Sequence, residues 1–161
     1  MVSLLLAALA FAIPTYGPVP ESSGSPTPPP AYLRVPTVPG EALIVNSGST
    51  NVAGYRLRVY ADGTTALQQG DVPIKKRVSA ELVKRFFADL SAAGPLDRLP
   101  VSRCMKSASF GSSTAIGYRG TISPDLSCPS SAAAARALAI DASALAQAAG
   151  VSMLPRPLKM P

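Results

Sequence analysis

The chain has 161 residues and carries fifteen Lys and Arg against nine Asp and Glu, a formal charge of +6, with no histidine and no tryptophan. That length makes one folded unit. The absence of histidine removes the commonest general base near neutral pH and the commonest metal ligand. Two cysteines alone leave no ligand set for a protein-held zinc ion, so no metal and no cofactor are expected.

Leu4 to Phe11 form an apolar run, with small residues at Ala10 and Ala12 in the pattern a signal peptidase accepts; residues 1–12 read as a signal peptide. The run is short for a bilayer of roughly 30 Å and closes at Pro14. No Lys or Arg precedes it, so its positive end is the terminal amine, or the start lies upstream of Met1. Residues 13–40 read as a spacer, because prolines recur too often there for helix or ladder hydrogen bonds. An extended, polyproline-like tether is expected. Its Pro-Pro-Ala-Tyr stretch at 29–32 has the shape WW domains read, but an exported chain does not meet them, and a plain linker is the simpler reading.

Residues 41–152 carry the periodic patterns of one domain. Ala42 to Val45 suit a short buried strand. Tyr55, Leu57 and Val59 alternate with Arg56, Arg58 and Tyr60, and Asp62-Gly63 signals a hairpin turn. A two-residue loop would set Leu57 opposite Gln68. A three-residue loop sets it opposite Leu67, which burial prefers, with Gly63 in the left-handed position. Lys75, Lys76 and Arg77, with Lys84 and Arg85, make the one local excess of positive charge, and such a run is usually a solvated face. Ser79 and Glu81 then open a helix whose Leu82, Val83, Phe86, Phe87 and Leu90 form one apolar stripe, ended by Gly94 and Pro95.

A second hairpin is expected from residues 106–110 and 114–123 about a turn at 111–113, with Ile116, Tyr118 and Ile122 on one face. An alanine-rich helix follows from about 130 to 149, with Ala134, Leu138, Ala142, Leu145 and Ala149 on one side and Gly150 as terminator. Residues 153–161 read as a flexible basic tail. The fold class is therefore α+β: a small antiparallel sheet in the chain order β-β-β-α-β-β-α, helices on one face, and one disulfide.

That disulfide joins Cys104 to Cys128. A pair of thiols in an oxidising compartment becomes a bond, and closing a loop of about 25 residues stabilises a fold by roughly 3 kcal/mol in the chain-entropy treatment. A redox pair would be spaced more closely. Export and disulfide together place the protein outside the cell or in the periplasm.

Catalytic patterns are sparse. Lys106 beside Ser107, Ser109, Ser112 and Ser113 allows a Ser-Lys pair, but neither S-x-x-K nor G-x-S-x-G occurs, and no histidine completes a triad. The acids are scattered, with Asp62 and Asp125 at turns and Asp89 and Asp141 on helices, so no facing carboxylate pair is indicated. No catalytic residue is assigned. The expected activity is that of a non-catalytic binding or inhibitor-like module, with Arg56, Arg58 and Tyr60 on the outer sheet face as its contact surface. Plain solvation of that face is the competing reading. The partner is unknown: another envelope or secreted protein, or an anionic envelope polymer attracted by the net charge, with no nucleic acid expected. The alternatives are an envelope hydrolase using the Ser-Lys pair and a structural envelope component.

Overall fold

A computed structural model of the chain describes residues 34–152. The segments read from sequence as a signal peptide, as the spacer up to residue 33 and as a tail from 153 lie outside the described residues. One antiparallel sheet contains β1 (Glu41–Asn46), β2 (Tyr55–Tyr60), β3 (Thr64–Gln68), β4 (Ile74–Arg77), β5 (Thr114–Tyr118) and β6 (Thr121–Ile122), side by side in the order β4-β3-β2-β1-β5-β6. Helix α1 (Ala80–Ala93) connects β4, through a short turn at Leu96–Arg98, toward β5, and helix α2 (Ala133–Ala149) closes the described chain. The α+β class and the disulfide are as expected, with one strand more than the sequence pattern announced.

Alternation in β2 sorts the two faces. Leu57 and Val59 are fully buried and Tyr55 nearly so, while Arg56, Arg58 and Tyr60 point to the other side. Leu57 pairs with Leu67 and Val59 with Thr65, the register of a three-residue loop. Gly63 has φ +87°, a conformation glycine adopts without a Cβ penalty. The inner face adds Ala42 and Ile44 from β1 and Ile116 and Tyr118 from β5. Onto it α1 places Val83, Phe86 and Leu90, and α2 places Leu138, Ala142, Leu145 and Ala149. The Phe87 ring meets Tyr118 edge-on at 6.0 Å, fastening α1 over β5.

Three local expectations are corrected. β4 forms from the basic run, with all four residues exposed, so hydrophobic periodicity could not announce it. Residues 106–110 form no strand; the second hairpin is β5 and β6, turning at Arg119 and Gly120, both with positive φ. Ile122 consequently pairs with Gly117, which puts it on the face opposite Ile116 and Tyr118, and it is exposed. Ser79 does precede α1, but its hydroxyl makes no cap hydrogen bond. Gly150 ends α2 in the left-handed conformation, and the Lys76 side chain fills the space a Cβ there would need, which sets a cation at the negative end of α2.

The outer face is partly covered by residues 34–40, which precede β1. Gly120 N–H donates to Pro36 O at 2.7 Å, Pro36 is buried, and Val35 packs where a Cβ on Gly117 would stand. Arg58 Nη2, on β2 two strands across from β5, donates to Arg34 O at 3.1 Å. This crossing explains why Leu43 is 2 % exposed although it faces away from the helices.

Candidate functional site

Pairing of β1 with β2 and β2 with β3 brings the three sequence-selected residues to one surface. Arg56, Arg58 and Tyr60 line a groove of about 330 Å³ on the outer face, floored by Leu43 and Ala66 and bordered by Gln68, Pro73 and Lys75. The three residues differ in what they can do. Arg56 is exposed and Tyr60 partly so. Arg58 is largely buried and forms an ion pair with Glu41, in addition to its bond to Arg34 O, so its guanidinium is committed to holding this face together. Arg56 and Lys75 are the cations this groove offers to a ligand. Lys75 belongs to the site because β4 pairs with β3, opposite Ala66. Sequence reasoning grouped it with a solvated charge run instead. The groove continues along the sheet in both directions, past Tyr60 toward Gly40 and past Arg56 toward Asp71. Its shape suits an extended chain, with positive charge at mid-length and an acid near each end, Asp62 and Asp71.

A second constellation surrounds Lys106. Its ammonium forms an ion pair with Asp125 Oδ2 and donates to Ser127 Oγ at 2.5 Å, Ser112 O at 2.7 Å and Ser113 Oγ at 3.0 Å. The other Asp125 oxygen accepts from Thr114 N–H and Ser127 N–H, each at 3.0 Å, and lies 2.6 Å from the Ser127 hydroxyl. Burial by itself would raise the Asp125 pKa. The hydrogen bonds from Lys106, from Ser127 twice and from Thr114 outweigh it and hold the carboxyl well below the usual range. A lysine that acts as a general base must present a lone pair to a hydroxyl, whereas this one shares its three N–H groups among four oxygens, a carboxylate among them. The arrangement is that of a clamp. It draws the 106–113 segment against 125–127, and Ser47, Ser49, Thr50 and Asn51 bond the same segment from the other side.

Cys104 and Cys128 are joined, with Cα atoms 5.5 Å apart. The bond fastens the irregular segment after α1 to the segment leading into α2.

A third polar feature was not singled out from sequence. Asp141 is 1 % exposed on α2 and receives Arg85 of α1 at 2.7 Å from Nη2 and 2.8 Å from Nε, both at Oδ1. Burial raises its pKa, the Arg85 hydrogen bond opposes that, and the neighbouring Asp89 carboxyl raises it further. The signal was present, because Asp141 stands three residues after Leu138 and four before Leu145, on the buried stripe. Among the described residues no group of three or more His, Cys, Asp or Glu side chains is arranged to hold a metal ion, and no helix is long and apolar enough to cross a membrane.

In comparison with known proteins, no family model matches the chain, and no match was found among curated proteins or solved structures.

Proposed function

We propose that the protein is an exported, non-catalytic binding module that engages an envelope or secreted partner through the outer face of its sheet. The observation that carries this reading is the groove itself: an apolar floor between Arg56 and Lys75, two cations with no ion-pair partner among the described residues, and a partly exposed tyrosine, on a surface backed by a continuous core. Tyrosine and arginine are frequent anchors of interfaces, and a rigid sheet presents them at little entropic cost. Export is supported by the apolar start of the chain and by the disulfide, which is stable in an oxidising compartment. Intact mass of the secreted material tests it, expected to show removal of about the first 12 residues and the loss of two hydrogens from the sulfurs.

The binding surface is tested with a photo-reactive amino acid at Gln68 in cells. A discrete cross-linked partner is expected, lost when Arg56 and Lys75 are both changed to serine while the melting temperature stays unchanged. Capture that survives the double change dismisses this surface. Arg58 is left intact in that experiment because its ion pair with Glu41 makes it a structural residue.

A hydrolase is the second reading: two serine hydroxyls, of Ser113 and Ser127, lie within 3.0 Å of Lys106 Nζ, and catalysis there requires the ammonium to give up a proton and its ion pair with Asp125. Labelling of either serine by a fluorophosphonate would establish it.

A further inference from the structure

The two residues that flank Met105 are tied to the same short stretch of chain. Cys104 is bonded to Cys128, and Lys106 is ion-paired to Asp125 and hydrogen-bonded to Ser127. Between these anchors Met105 is 102 % exposed, a fully projecting apolar side chain on an irregular but fastened backbone. The remainder of the loop is equally held. Gly111 N–H donates to Ser107 O at 2.7 Å, in a turn so tight that a Cβ at Gly111 would collide with Lys106 and Ser107. Ser109 O accepts from Asn51 N–H and the Ser49 hydroxyl. Phe110 closes the loop, 69 % exposed. A solitary exposed methionine needs no explanation. One whose two neighbours are both immobilised is a different case, because the entropy of ordering the segment has been spent before any partner arrives.

We infer that this loop is an inhibitory contact for secreted serine endopeptidases with a deep apolar primary pocket, with Met105 as the inserted side chain. This goes beyond the outer-face reading and involves none of its residues. An unbranched thioether adapts to an apolar pocket without a demanding rotamer, and a single projecting residue with fixed flanks complements a cleft that reads one side chain deeply and the adjoining backbone on either side. The double anchoring also accounts for inhibition instead of digestion. Attack by the enzyme's serine on the Met105 carbonyl breaks the Met105–Lys106 amide, forms an ester at Met105 and frees the Lys106 amine. That amine stays fastened through its side chain to Asp125 and Ser127, so it can displace the serine oxygen again and restore the amide. Hydrolysis, which adds one water to give a Met105 carboxylate and a Lys106 ammonium, leaves both ends in place, so the reverse reaction is intramolecular.

The test is a titration of the purified, disulfide-intact protein against chymotrypsin, subtilisin and trypsin. Inhibition of the first two at near-equimolar ratio is expected, with trypsin spared. Met105→Asp should weaken inhibition at least about thirtyfold without moving the melting temperature, since the side chain is fully exposed among the described residues. Met105→Lys should transfer inhibition to trypsin, whose pocket takes a basic residue. The Arg56/Lys75 double-serine variant should inhibit like the parent, so that failure of this loop and failure of the outer face are read separately. The inference is overturned if none of the three enzymes is inhibited, if the loop is cut and the protein then degraded, or if Met105→Asp inhibits as well as the parent.

Discussion

Replacing Cys104 and Cys128 together by alanine removes the one covalent cross-link while leaving the Lys106 clamp in place. The bonded residues are 24 apart in sequence, so the closed loop spans about 25 residues, and the chain-entropy relation gives a stabilisation of about 3.5 kcal/mol at 25 °C. Burial argues for a further, smaller loss, because Cys128 is 7 % exposed and packs beside the core whereas Cys104 is exposed. For a domain of this size, 1 kcal/mol moves the midpoint by a few degrees, so the double variant should melt about 10 °C or more below the parent. The measurement is thermal unfolding by circular dichroism, with reduction of the parent by a thiol as the matched control. Both treatments should converge on the same midpoint. A double variant within about 3 °C of the oxidised parent would show that the ion pair of Lys106 and Asp125 already constrains the unfolded ensemble or that the loop contributes little, and the entropic argument would be refuted.

The carboxylates predict opposite slopes with pH. Asp125 is held below its unfolded value, so its contribution is complete above about pH 4 and is lost as pH falls through the folded value; Asp125→Asn should flatten the acid limb of a stability curve measured by urea unfolding from pH 2 to 7. The same change should lower stability at pH 7 by about 1–3 kcal/mol, since it removes a charged acceptor of four hydrogen bonds. Asp141 is raised, so its contribution is present below about pH 4 and is lost as pH rises through the folded value. Asp141→Asn, facing Arg85 and Asp89 across the α1–α2 contact, should therefore gain stability relative to the parent as pH is raised from 4 to 7. A difference that is flat with pH would contradict it. Gly63→Ala forces a Cβ into a left-handed position and should cost about 1–2 kcal/mol by the same urea assay.

What could be read from sequence follows the hydrophobic effect closely. Leu57 opposite Leu67 was legible because only one of two hairpin registers buries both side chains, and the α1 stripe was legible because Val83, Phe86 and Leu90 repeat at helical spacing. β4 was not, since all of Ile74, Lys75, Lys76 and Arg77 are exposed and its pairing to β3 is carried by backbone bonds that leave no side-chain signature. Placement of the β5–β6 turn failed for a related reason. The glycine and serine cluster at 111–113 has the composition of a hairpin turn, yet its hydrogen bonds go to Lys106, Ser127 and the 46–47 end of β1, while the true turn rests on Arg119 and Gly120. For the candidate site, Arg56, Arg58 and Tyr60 share a face by the period-two rule, but the neutralisation of Arg58 by Glu41 depends on which strand lies beside β2, and Lys75 joins them only through β4.

The segment with the most suggestive chemistry, a lysine among serines between two cysteines, is ordered by polar contacts that its composition conceals. Residues 105–113 contribute no side chain to the buried core, so apolar burial cannot order them. Instead Lys106 gathers Ser112, Ser113, Asp125 and Ser127, and the 49–51 turn bonds its far side. Charge-assisted bonds of this kind, each roughly twice as strong as a neutral one, hold a shape without a hydrophobic interior. A loop ordered in that way can leave its apolar side chains outside, and Met105 and Phe110 are both left outside. Had the same loop been ordered by burial, those two residues would have supplied the burial, and nothing would project for a partner to grip.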